Sequence, residues 1–163
     1  MKSLVSTEWL AQHIGEPELV VLDASSHLPD TKRDARAEFA AAHITSARFL
    51  DLATLIDPES AVPAAVPTGA QCAERMAALG VNDGDRVVIY DDSAVKTSAR
   101  AWFIARMNGG KEVAILDGGF GKWRAEGRPL ETGEATPQRG HFTPASGPGT
   151  VRLKSDMLVN LDS

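Results

Sequence analysis

The sequence predicts an α/β fold, a parallel sheet with helices on both faces. Three observations lead there. Short apolar runs alternate with helical stretches along the chain, the order a helix-covered parallel sheet requires. The runs "LVVLD" and "RVVIY" lack polar alternation, as strands do when both of their faces are covered. With 163 residues, 43% of them hydrophobic, the chain is long enough for one domain with a full core and an appended tail.

Residues 4–15 read as a helix capped by Ser6, with Val5 and Leu10 placed as a hydrophobic staple and Gly15 as the stop. Residues 19–23 follow a proline and read as a buried strand. Residues 33–44 are helical in pattern, with Asp34 as cap and His43 near the end. A short strand and a turn fall within 46–52. The stretch 57–69 holds three prolines and is a loop. A helix over 70–80 stops at Gly80. The strand 86–90 leads to a helix opening at Thr97 or Ser98, closed by Gly109 and Gly110. Residues 112–117 form the next strand, and a glycine turn and a last short helix occupy 117–127. The domain therefore covers residues 1–130. From residue 131 three prolines and four glycines appear without periodicity, so 131–150 reads as a linker. Residues 151–163 look like the start of another unit.

Composition narrows the function. Net charge is −5 without a basic patch, which argues against nucleic acid as a partner. No apolar run has the length of a membrane span, and no export pattern opens the chain. One cysteine excludes an internal disulfide, and together these features place the expected location in the cytoplasm. The four histidines, at 13, 27, 43 and 141, are scattered, so neither a metal site nor a cofactor is expected.

The chemistry concentrates after the strand 86–90. Asp91 and Asp92 follow it directly, then Ser93 and a short polar loop. In α/β proteins this is where an anion or a nucleophile sits. Two readings stand: turn and capping residues, or an acid/base pair or magnesium ligands. No glycines cradle a phosphate in this loop. Arg100 lies in the first helical turn between Ala99 and Ala101, placed to reach the mouth of the loop. Cys72 shares a helical stripe with Met76 and Leu79 and reads as a small buried hydrophobe. His43 reads as an imidazole bonding last-turn carbonyls.

These residues carry a resemblance. "DARAEFAAAHITSARF" at 34–49 resembles the rhodanese-family segment in which an Asp-x-Arg-x-Glu-Phe helix leads into a Gly-His-Ile-Pro-Gly-Ala turn. Residues 22–39 and 87–131 are similar to the N-terminal domain of two-domain thiosulfate and 3-mercaptopyruvate sulfurtransferases, and the likeness extends over about residues 3–150. The resemblance implies a rhodanese-like parallel sheet of about five strands. It also implies a site at the loop after the central strand, where a catalytic domain holds a cysteine that takes sulfane sulfur from an anionic donor and passes it to cyanide or a thiol. Asp91 stands at that cysteine's position, and a carboxylate cannot form a persulfide. The resemblance thus implies a non-catalytic N-terminal domain without a catalytic residue of its own. Its partners would be a second rhodanese domain, begun at 151–163 and carrying the cysteine, and a small anionic sulfur donor. Arg100, Asp91, Asp92 and Ser93 are the candidates for the substrate cleft. The alternative is a stand-alone inactive rhodanese-like module that binds a protein partner or small anion. A phosphatase loop is excluded, because it needs cysteine at Asp91 and arginine at Thr97. The chain departs from the family at Ala42, Thr45 and Ser46. It also departs at 63–67 and at Ala53, where mercaptopyruvate enzymes carry a histidine and an acid, and this favours thiosulfate or another donor.

Overall fold

The computed structural model describes residues 1–145, 151–152 and 154–161. In chain order the elements are β1 (Leu4–Val5), α1 (Thr7–His13), β2 (Leu19–Asp23), α2 (Ala35–Ala41), β3 (His43–Ile44), β4 (Arg48–Phe49), α3 (Gly69–Ala78), β5 (Arg86–Tyr90), α4 (Ser98–Met107), β6 (Glu112–Leu116), α5 (Gly119–Ala125), β7 (Leu130–Glu131) and α6 (Lys154–Leu161). Among the described residues five strands form one sheet in the order β1-β6-β5-β2-β4. Every pairing in it is parallel. The predicted α/β class and its five-stranded parallel sheet are thus what the chain adopts.

The period-two alternation of a strand sorts the core into two layers. Val20, Leu22, Val87 and Ile89 face α3 and α4, against Cys72, Met76, Ala101 and Ile104. Leu19, Val21, Val88 and Tyr90 face the opposite way, against Leu10 of α1, Phe39 of α2, and Phe120 and Trp123 of α5. The helices start where side chains satisfy their free amides. Ser6 accepts from Trp9 and Asp34 from Ala37. Thr68 and Gln71 form a reciprocal capping box on α3.

Two short strand pairings depart from the sequence reading. Leu4 is not part of the first helix: residues 4 and 5 extend the sheet beside β6. The helix expected to reach residue 44 stops at Ala41, and His43 and Ile44 pair antiparallel with Leu130 and Glu131. The expected linker is tied down over its described part, while residues 146–150 of it lie outside the described residues. Gly133 donates to the Ala40 carbonyl at 2.7 Å, and Arg36 holds Glu134 through both carboxylate oxygens. Pro137 and Gln138 then pass close to Gly80, beside Arg48 of the outer strand β4. Beyond them Gly140 donates to Ala77, and Asp83 to the carbonyl of His141. Thr143 binds Asp83 through backbone and hydroxyl, and Phe142 packs on the α3/α4 core. Residues 130–145 thus form a strap that runs from one face of the sheet to the other. Of the tail read as a new unit, α6 is described, and residues 153, 162 and 163 lie outside the described residues.

Candidate functional site

The order in which strands are added reverses at the junction of β2 and β5. From β2 the sheet grows to β4 on one side, and from β5 to β6 on the other. Crevices outside the carboxyl ends of strands at such a switch point are where open α/β sheets bind ligands. Asp23 ends β2, and Asp91 and Asp92 follow β5.

Asp91 is buried. Its carboxylate accepts the Ser98 amide at 2.8 Å and the Thr97 hydroxyl at 3.3 Å, and its carbonyl accepts the Phe120 amide at 3.0 Å. The helix N-terminus that attracts an anion is therefore filled by an anion of the chain itself. Of the two readings of Asp91, the geometry is that of a cap. Ser93 is buried too. Its hydroxyl oxygen accepts the Ser26 amide at 2.9 Å and bonds the Thr97 hydroxyl at 2.7 Å. The Asp92 amide donates to Ser25 Oγ at 3.0 Å. These bonds lace the loop after β2 to the loop after β5. Lys96 takes a positive φ of 53° in this lacing, so the loop curls there without a glycine.

Asp92 is half-buried and meets Arg33 at 3.2 Å. Arg33 also grips Glu38 through two bonds, and His27 Nε2 lies 2.7 Å from the same carboxylate. Arg33 first, and His27 after it, hold the Glu38 carboxyl below the usual range. Burial raises that of Asp23, and the Asp91 charge adds to the shift. Bonds from Ser25 and Tyr90 oppose it. Burial also pushes the Tyr90 phenol up, helped by the Asp23 charge.

Arg100 bonds neither loop aspartate. Its guanidinium bonds the Ala64 carbonyl at 2.7 Å, tying the proline loop to α4. Asp91 Oδ2 is engaged by the Ser98 amide and the Thr97 hydroxyl, and Asp92 is paired with Arg33. Asp91, Asp92 and Ser93 are thus brought together, and Arg100 stands apart from them. His43 is buried, its Nδ1 2.8 Å from the Phe39 carbonyl and its ring stacked on Phe39 at 4.0 Å. Among the described residues no group of three or more histidine, cysteine or acidic side chains is placed to hold a metal ion, and no helix is long and apolar enough to cross a membrane.

Sequence reasoning missed Asp23, Arg33, Glu38 and Tyr90. The one signal was that Asp23 ends its strand as Asp91 follows the next.

Cys72 lies within the α3/α4 core, and burial pushes its thiol up to about 12. Thiolate is the reactive form. Labelling of the native protein by a thiol reagent near pH 8 is therefore expected to follow the rate of unfolding, with full reactivity in denaturant. Labelling of the native protein at the rate of a free thiol is the contrary result.

The chain is 39% identical over 129 residues to thiosulfate/3-mercaptopyruvate sulfurtransferase 1, mitochondrial, of Arabidopsis thaliana, covering 79% of this chain and 34% of the relative. It is 33% identical over 156 residues to the 3-mercaptopyruvate sulfurtransferase of Escherichia coli (strain K12), covering 95% and 56%. The crystal structure of SseA from Escherichia coli, described as that of a 3-mercaptopyruvate sulfotransferase, matches at TM-score 0.89 and 32% identity, over 98% of this chain and 61% of that one. The chain spans between about a third and three fifths of the length of these relatives. Residues 6–126 match the rhodanese-like domain, and the chain belongs to that family.

Proposed function

We propose that this chain is the non-catalytic, N-terminal half of a sulfurtransferase. In this reading residues 1–130 are the domain, 131–150 the linker and 151–163 the start of a second rhodanese domain. The reaction moves sulfane sulfur from thiosulfate or 3-mercaptopyruvate to cyanide or a thiol. The observation that carries the proposal is Asp91. It occupies the loop position where this chemistry needs a thiolate, and its carboxylate is spent on capping α4. Sulfurtransferase activity in the relatives supports the rest.

The chemistry divides between the halves. A thiolate of the second domain attacks the outer sulfur of thiosulfate. The S–S bond breaks, sulfite leaves with the electron pair, and a persulfide remains. Cyanide then takes the outer sulfur as thiocyanate and returns the thiolate. An anion-stabilising loop around the thiolate lowers the barrier to each step. This chain contributes a wall of the cleft, made rigid by the lacing of Ser25, Ser26, Ser93 and Thr97. Lys96 and Arg100 place positive charge along the loop and the first turn of α4, where it attracts an anionic donor. The cytoplasm belongs to the same reading, as a reducing compartment in which a single buried thiol needs no partner.

The test is thiocyanate release from each donor with cyanide. The 163-residue chain is expected to give none above a Cys72→Ser control. Joined to a rhodanese domain bearing a cysteine loop, it is expected to turn over. Turnover by the isolated chain, abolished in Cys72→Ser, overturns the assignment. An inactive joined protein with an intact cysteine favours the binding-module alternative.

A further inference from the structure

A cleft of about 250 Å³ opens at the carboxyl ends of β2 and β5, on the α2/α5 side of the sheet. It shares Ser25 with the laced wall described above, but Lys96 and Arg100, the charges proposed to draw the sulfur donor, do not line it. Arg100 is bound to the proline loop, which packs with α3 and α4 on the other layer. The cleft is lined by Asp23, Glu38 and Asp92, by Arg33 and Arg124, and by the ring of Phe120.

Its charges are arranged unevenly. Arg33 is committed to Glu38 and Asp92. Arg124, from α5, has no carboxylate partner among the described residues. Its guanidinium lies over the Phe120 ring, 5.4 Å from the centroid. An arginine offers five donors in a planar fork matched to a carboxylate, and this one has its donors free at the cleft. Asp92 has the reverse character, since its carboxylate keeps acceptor capacity beyond the one bond from Arg33. The lining holds three carboxylates against two guanidinium groups. A bare anion meets the carboxylates, and a bare cation meets Arg124. A ligand carrying both charges on neighbouring atoms satisfies both walls at once. The volume is just under the range of about 300–1,000 Å³ typical of sites for drug-sized ligands, so the ligand is small.

We propose that this cleft binds a small zwitterion, an α-amino acid, with its carboxylate on Arg124 and its ammonium on Asp92. The site is separate from the sulfur chemistry and stands whether or not the chain is half of a sulfurtransferase.

The test is calorimetric titration of the chain with L-serine near neutral pH, with acetate and ethylamine as single-charge controls. Saturable binding of serine is expected, with each control at least tenfold weaker. Arg124→Ala and Arg124→Gln are each expected to weaken serine binding about tenfold, the loss of one charge-assisted pair. Arg124 is exposed, so both variants are expected to fold, and thermal melts check this. Arg100→Ala, outside the cleft, is expected to bind as the parent does. No saturable serine binding, a control bound as tightly as serine, or unchanged binding in both Arg124 variants overturns the proposal.

Discussion

Replacing Trp123 with alanine is expected to remove about 3–5 kcal/mol of stability, the range for deleting a buried aromatic side chain. Trp123 has no exposed surface and sits in the layer formed by α1, α2 and α5. Its indole N–H donates to the Pro129 carbonyl at 2.9 Å, one residue before β7. The substitution therefore opens a cavity and frees the start of the strap. Against a typical total of about 5–15 kcal/mol, this leaves a marginal domain. Trp123→Phe keeps most of the packing and loses the indole donor, and is expected to cost about 1–3 kcal/mol. Urea unfolding of the three proteins reads the order. Equal losses in the two variants would mean that the hydrogen bond, and not the packed volume, holds this corner.

Asp91→Ala is expected to cost about 2–3 kcal/mol, because it leaves the buried amide of Ser98 without an acceptor and removes a helix cap. Asp91→Asn keeps one acceptor oxygen for that amide. That oxygen, at the Oδ2 position, is the one both the Ser98 amide and the Thr97 hydroxyl reach, so only the charge is lost and about 1 kcal/mol is expected. Chemical denaturation distinguishes the two. An alanine variant as stable as the parent would show that the carboxylate does not cap α4, and would reopen a chemical role for it.

How far the sequence reached depended on element length and on which partners a residue needs. The runs at β2 and β5 are five residues long, each with four consecutive apolar or aromatic side chains, so both were legible to the residue. The helix α4 was legible because its amphipathic stretch ends at two glycines. The strands β1, β3 and β7 have two residues each, too few to show any period. They exist because a neighbouring backbone offers a ladder, as Leu130 and Glu131 do for Ile44 and His43. The same holds for the site. Asp91, Asp92 and Ser93 are contiguous, and their position after a strand marked them out. The Arg33–Asp92 pair spans 59 residues, and the Arg100–Ala64 bond 36. Neither leaves a trace in local pattern. A first-turn arginine has no local rule to tell it which of several nearby carbonyls or carboxylates it will reach.

The strap and the first strand together set a schedule on the ribosome. Leu4 and Val5 can pair only with Ile115 and Leu116, so the first strand made waits for the last strand of the sheet. The strap is made later still, and Gly140, His141 and Thr143 are the residues that bind α3 and the turn after it. Until residue 145 has emerged from the exit tunnel, the outer strand β4 and the α3 side of the core lack their cover. Contacts this distant in sequence fold slowly, and exposed strand edges invite association with other chains. A nascent chain that has emerged only as far as residue 130 therefore has its five-stranded sheet but not its closure, and is at its most exposed to association with other chains.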